Sequence, residues 1–135
     1  MINYLGLLVA VISGFVIGAA WHTVLGSRRM AASGMTVAEI ANAQAARQMP
    51  VGPMIVSFVA QCVMALILSQ IMAHTGGANV RVGAADAVLI WVGFVATTIG
   101  VNNAFEKRKP ALTAIDTGHW LAVLIVQGIV LGLFG

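Results

Sequence analysis

Six polar residues stand out in a chain that has few: His22, Asn102, Asn103, Glu106, Asp116 and His119. Imidazole changes charge near neutral pH and can pass a proton or hold a ligand. Carboxylates attract cations, and amides donate and accept hydrogen bonds at once. Together these groups can bind a cation, relay a proton or hold the head group of a small ligand. A dedicated metal site is not expected, because no HExxH motif occurs and the ligands would come from three separate segments. A plainer role is also open. Glu106 and Asp116 can pair with Lys107, Arg108, Arg28 or Arg29 and merely fix helix ends. Asp116 also suits the first part of a helix, where the backbone dipole favours negative charge. Asn102 and Asn103 favour a site, because two amides at the end of an apolar helix need partners, although bonds between helices can supply them.

Other chemistry is sparse. Ser13, Ser57 and Ser69 have no motif around them, and Cys62 is the single cysteine, set among apolar residues. There is no phosphate-binding glycine loop and no dinucleotide fingerprint, so the sequence favours no enzymatic activity and no cofactor. Met54, Gln61, Met64 and Met72 share a helical face. Methionine is an adaptable packing residue, and without a Met-x-x-Met cluster or paired cysteines no copper site is expected.

The elements that position these residues are membrane helices. Of 135 residues, 60% are hydrophobic and 8% charged, with a mean hydropathy of +0.98. Soluble domains carry about 25% charged residues, so this chain cannot cover a water-facing surface. A span needs about 20 apolar residues, and four spans with short connections use up the length. The expected fold is an all-α integral membrane four-helix bundle forming one domain, 1–135. Spans are expected near 2–25, 53–74, 83–104 and 114–134. A short amphipathic helix over 36–48 is expected between spans 1 and 2. It opens on the capping box Thr36-x-x-Glu39 and should lie on the membrane surface or fold over the bundle. No Lys or Arg precedes the first apolar run, which argues against a cleaved signal peptide.

Glycines mark the packing faces. Gly14 and Gly18 form a GxxxG pair in line with His22, and Gly128 and Gly132 form a second pair. In span 4, Asp116, His119, Trp120, Val123 and Gln127 share one side. The second pair lies elsewhere and is expected to face another copy. In span 3, Gly93, Thr97 and Gly100 should form a small packing face with Asp86. Trp91, Thr98, Asn102 and Glu106 should form the other.

Charge sets the topology. Connection 1 holds Arg28, Arg29 and Arg47, connection 2 only Arg81, and connection 3 Lys107, Arg108 and Lys109. The positive-inside rule puts connections 1 and 3 in the cytoplasm, with both termini outside. The net charge of +3 is thus a topology signal directed at lipid head groups rather than at nucleic acid. This topology gathers the six polar residues at the cytoplasmic end and places His74, Arg81 and Asp86 at the outer end.

The stretch GFVATTIGVNNAFEKR, followed by a span containing Gly118-His119, resembles a family of small bacterial membrane proteins catalogued as a domain of unknown function. The likeness extends to Gly18-Ala19-Ala20-Trp21, to Ser33-Gly34-Met35-Thr36 and to the glycine-rich last span, and so covers nearly the whole chain. Where that family's pattern has tyrosine after the tryptophan, this chain has His22, so the resemblance does not extend to it. The resemblance implies a four-span membrane fold and supplies no activity. The expectation is therefore a homo-oligomeric inner-membrane protein that transports or binds a small solute or ion at a polar site near the cytoplasmic face. The alternative is a non-catalytic accessory or scaffold subunit of a larger membrane complex.

Overall fold

The structure is a computed structural model and describes residues 3–46 and 50–135. It contains helices α1 (Tyr4–Ala32), α2 (Val37–Ala46) and α3 (Val51–Thr75). These are followed by α4 (Val80–Ile90), a π-helical segment over Trp91–Ala96, α5 (Thr97–Phe105) and α6 (Pro110–Leu133). Four helical stretches are long and apolar enough to cross a membrane: Tyr4–Ala32, Val51–Thr75, Val80–Phe105 and Pro110–Leu133. The shortest has 24 residues, about 36 Å at 1.5 Å per residue, against a hydrocarbon core of about 30 Å. The protein is a multi-pass membrane bundle, and large apolar side chains such as Phe94, Val56 and Leu5 point outward. Outward apolar side chains suit lipid, which solvates them as well as a protein core does.

Local sequence starts and stops these helices. The Asn3 side chain accepts from the Gly6 N–H at 3.0 Å and donates to the Phe134 carbonyl at 2.7 Å, tying α1 to the end of α6. Asn79 caps α4 by accepting from the Val82 N–H at 3.0 Å. Thr36 and Glu39 form the expected capping box, with the Glu39 N–H donating to the Thr36 hydroxyl at 3.2 Å. Pro110 opens α6, where its missing N–H has no partner to lose. Lys107 adopts a φ of 56° in the tight turn before it.

Helix α6 lies at the centre, packed on α1 along one side and on α4 along another. On the α1 side, glycines let large side chains in. A Cβ at Gly6 would fall 2.7 Å from Phe134, and one at Gly18 would fall 2.8 Å from the His119 ring. On the α4 side the backbones themselves meet: Gly128 lies against Gly83, and Gly132 against Asn79 and Val80. Ala10, Val11, Ala65, Leu68, Met72 and Leu131 fill the space between α1, α3 and α6.

Several expectations are corrected here. Gly128 and Gly132 do not face a second copy; α4 of the same chain occupies them. Gly93 and Gly100 have nothing within 4 Å and form no packing face within the chain. The cause is the π-helical segment, which inserts a residue into the helical repeat and turns everything after it by about 100°. The inward face therefore runs through Gly83, Asp86 and Ala87 before the segment and Asn103 after it. Helix α1 continues past Leu25 to Ala32, so Arg28 and Arg29 sit on a helix rather than in a loop. Helix α2 exists but buries no residue, so it does not fold over the bundle. The expected end of that helix, at Arg47 and Gln48, lies outside the described residues.

Candidate functional site

Helix α6 carries the site, and two tryptophans hold it in place. The Trp21 indole donates to the Ile115 carbonyl at 3.1 Å from the α1 side. The Trp91 indole, in the π-helical segment, donates to the Thr117 carbonyl at 2.7 Å from the other side. Each carbonyl has a second lone pair to give beyond its helical bond. The residue between those carbonyls is Asp116, and His119 follows within a turn. Gly118 lets the Trp21 ring approach, since a Cβ there would lie 2.9 Å from it.

Around this turn lies a cavity of about 380 Å³, lined by His22, Arg29, Ser57, Ile99, Asn102, Asn103, Asp116, His119 and Trp120. Five of the six sequence candidates meet there. The two histidine rings lie 4.9 Å apart, centre to centre, and tilted by 39°. The Trp120 ring meets His119 edge-on at 4.6 Å. His119 is buried at 6% exposure while His22 is exposed, so one imidazole faces the bundle and the other its surroundings. Asn103 is buried and donates to the Thr113 hydroxyl at 2.9 Å. Its neighbour Asn102 is exposed at the cavity rim.

Electrostatically the site is a compensated pair surrounded by neutral donors and acceptors. Arg29 grips Asp116 side-on, Nε to Oδ1 at 2.7 Å and Nη2 to Oδ2 at 3.4 Å. Such a bidentate, charge-assisted contact fixes both groups. It also keeps a carboxylate at membrane depth compensated. A ligand here meets two imidazoles, two amides and one indole around a bound ion pair. That set binds a small polar solute or ion and can hold or pass a proton. Among the described residues, no three His, Cys, Asp or Glu side chains are grouped to hold a metal ion.

Glu106 is not part of this cavity. Helix α5 ends at Phe105, and Glu106 lies in the turn beyond it, where its carboxylate accepts from Arg108 at 2.6 Å. It borders a separate surface concavity with Ser33, Gly34 and Lys107–Lys109. At the far end of the bundle, Asp86 is buried and accepts from the Thr75 hydroxyl at 2.6 Å. The His74 ring stays local, 2.8 Å from the Gln70 carbonyl.

The sequence reading missed three contributors. Arg29 was legible only as a topology charge, because α1 was expected to end before it. Ser57 had no motif. Gln61 and Gln127, at 1% and 0% exposure, had been read only as members of helical faces. Their signal was available: an uncharged amide in the middle of an apolar span needs a partner.

The chain belongs to the family described as Protein of unknown function (DUF1761), whose sequence profile matches residues 5–132. No curated protein and no solved structure matches it.

Proposed function

We propose that this member of the DUF1761 family binds a small polar solute or ion in the cavity on α6 and carries it across the membrane. One observation supports the reading above the others: residues from α1, α3, α5 and α6 converge on one cavity and bring His22, Arg29, Asn102, Asn103, Asp116 and His119 together. Polar groups at membrane depth are costly, and helix anchoring alone does not require two stacked imidazoles over an ion pair. The cations of connections 1 and 3 favour a bacterial inner membrane with this cavity on the cytoplasmic side and both termini outside. Labelling of cysteines at Ser33→Cys and Ala78→Cys tests that orientation; reaction of Ser33→Cys only from outside would reverse it.

The functional test is flux in liposomes across a panel of small ions and polar solutes. His119→Ala and Asp116→Asn should each lower flux of the transported species at least tenfold. If both variants match the wild type, the cavity is not the site. A second reading draws support from Gly93 and Gly100, which have nothing against them in the chain. Close approach at such glycines suits another helix, either of a second copy or of a larger complex to which this protein is an accessory. Isolation in mild detergent separates these: a pure homo-oligomer favours the carrier reading, and a stoichiometric foreign subunit favours the accessory one.

A further inference from the structure

The polar residues do not stop at the histidines. Ser57 borders the cavity, and its hydroxyl accepts from the Gln61 side-chain nitrogen at 3.4 Å. The Gln61 backbone carbonyl accepts in turn from the Gln127 side-chain nitrogen at 3.3 Å. Both nitrogens are thus used by the protein. The two side-chain oxygens, Gln61 Oε1 and Gln127 Oε1, are buried and find no donor among the described residues. An amide oxygen held in an apolar span without a donor is costly, and leucine at either position would avoid that cost.

Helix α1 is shaped to admit these amides. A Cβ at Gly14 would fall 2.7 Å from Gln61 Oε1 and 3.2 Å from Gln127 Nε2. One turn further, Gly18 admits His119 in the same way, with Nε2 at 2.8 Å. The glycine strip therefore seats the amide pair next to the cavity histidine, and Ser57 joins the two from α3.

We propose that Gln61 and Gln127 form an inner station of the cavity, whose free oxygens take a small hydrogen-bond-donating monocation, of the class of ammonium or of hydronium carried with water. This rests on the carrier reading of the cavity and names its ligand class. Two acceptors with no donors of their own select a species rich in N–H or O–H. An anion would meet the negative ends of both carbonyl dipoles and be repelled. The sequence of groups from cavity to bundle centre is then Asp116, the two histidines, Ser57 and the amide pair.

The test uses the full-length protein in phosphatidylethanolamine–phosphatidylglycerol vesicles. One arm follows radiolabelled methylammonium uptake, and the other follows proton entry with an internal pH dye under an imposed potential. Wild-type protein should exceed protein-free vesicles in one arm; methylammonium uptake identifies the ammonium class, and proton entry alone the hydronium class. The Gln61→Leu/Gln127→Leu pair should lose at least tenfold of that flux while melting at or above the wild-type temperature. Gly14→Ala, which displaces Gln61 Oε1 while leaving both amides in place, should lower flux severalfold and serves if the leucine pair does not fold. Wild-type flux no greater than that of empty vesicles in both arms overturns the proposal. Full flux in the leucine pair, or in Gly14→Ala, also overturns it. If His119→Ala loses flux while both of these keep it, the amide station is wrong and the cavity reading stands.

Discussion

Replacing Gly128 by alanine should separate α4 from α6. A Cβ built on Gly128 lies 2.6 Å from the Gly83 carbonyl carbon and 3.3 Å from its Cα. Carbon atoms in contact normally sit about 3.5–4.0 Å apart, so the two backbones must part by roughly 1 Å. A gap of that size forfeits about a quarter to a half of each affected dispersion contact, and overpacking of this kind costs about 1–3 kcal/mol. Alanine also favours a helix over glycine by about 1 kcal/mol, which offsets part of the loss. The control removes this term. Gly100→Ala gains the same propensity, with nothing within 4 Å to obstruct it. The two variants should therefore differ by about 1–3 kcal/mol, Gly128→Ala being the less stable. Equilibrium unfolding in mixed detergent micelles reads the difference directly. A difference under about 0.5 kcal/mol, within the usual scatter of surface substitutions, would show that the helices do not meet backbone to backbone.

Three further outcomes follow from named contacts. A double-mutant cycle on Arg29→Gln and Asp116→Asn should give a coupling energy of about 1 kcal/mol, since the side chains are 39% and 22% exposed and partly screened; strict additivity would mean the pair does not form. Glu106→Gln should change stability by less than about 0.5 kcal/mol and leave flux unaltered, because Glu106 and Arg108 are 57% and 43% exposed; a large loss of flux would return Glu106 to the site. Thr75→Val should destabilise by about 1–3 kcal/mol, because the buried Asp86 loses the hydroxyl donor it accepts from; an unchanged melting temperature would argue that Asp86 is satisfied otherwise.

The membrane fold was legible because its signal is compositional and long-range. Four apolar stretches, separated by cations, turn signals and a capping box, leave little freedom. Gly14 and Gly18 were legible as an inward face because α1 is a regular helix throughout. Position along the bundle axis was legible as well, which is why five of six polar candidates share one cavity. Rotation about a helix was not legible once the helix departed from regularity. Nothing in Trp-Val-Gly-Phe-Val-Ala marks the π-helical segment, and its extra residue moved Gly93 and Gly100 outward and left Asn103 rather than Asn102 buried. Glu106 was misplaced for a related reason: helical spacing was extended past Phe105, where the helix has ended. The partner of Gly128 could not be read because a GxxxG pair shows that something approaches closely without showing what.

All three tryptophans of the chain touch the helix that bears the cavity: Trp21 and Trp91 through carbonyls on either side of Asp116, and Trp120 against His119. Indole emission depends on hydrogen bonding and on nearby charge, so the protein's entire ultraviolet fluorescence originates beside the site. Occupation of the cavity is thereby visible without a dye or a label, and a titration needs only the native protein in detergent. Because a protonated imidazole edge-on to Trp120 quenches it while the indoles gripping α6 respond mainly to helix movement, the emission also separates a change of charge from a change of shape.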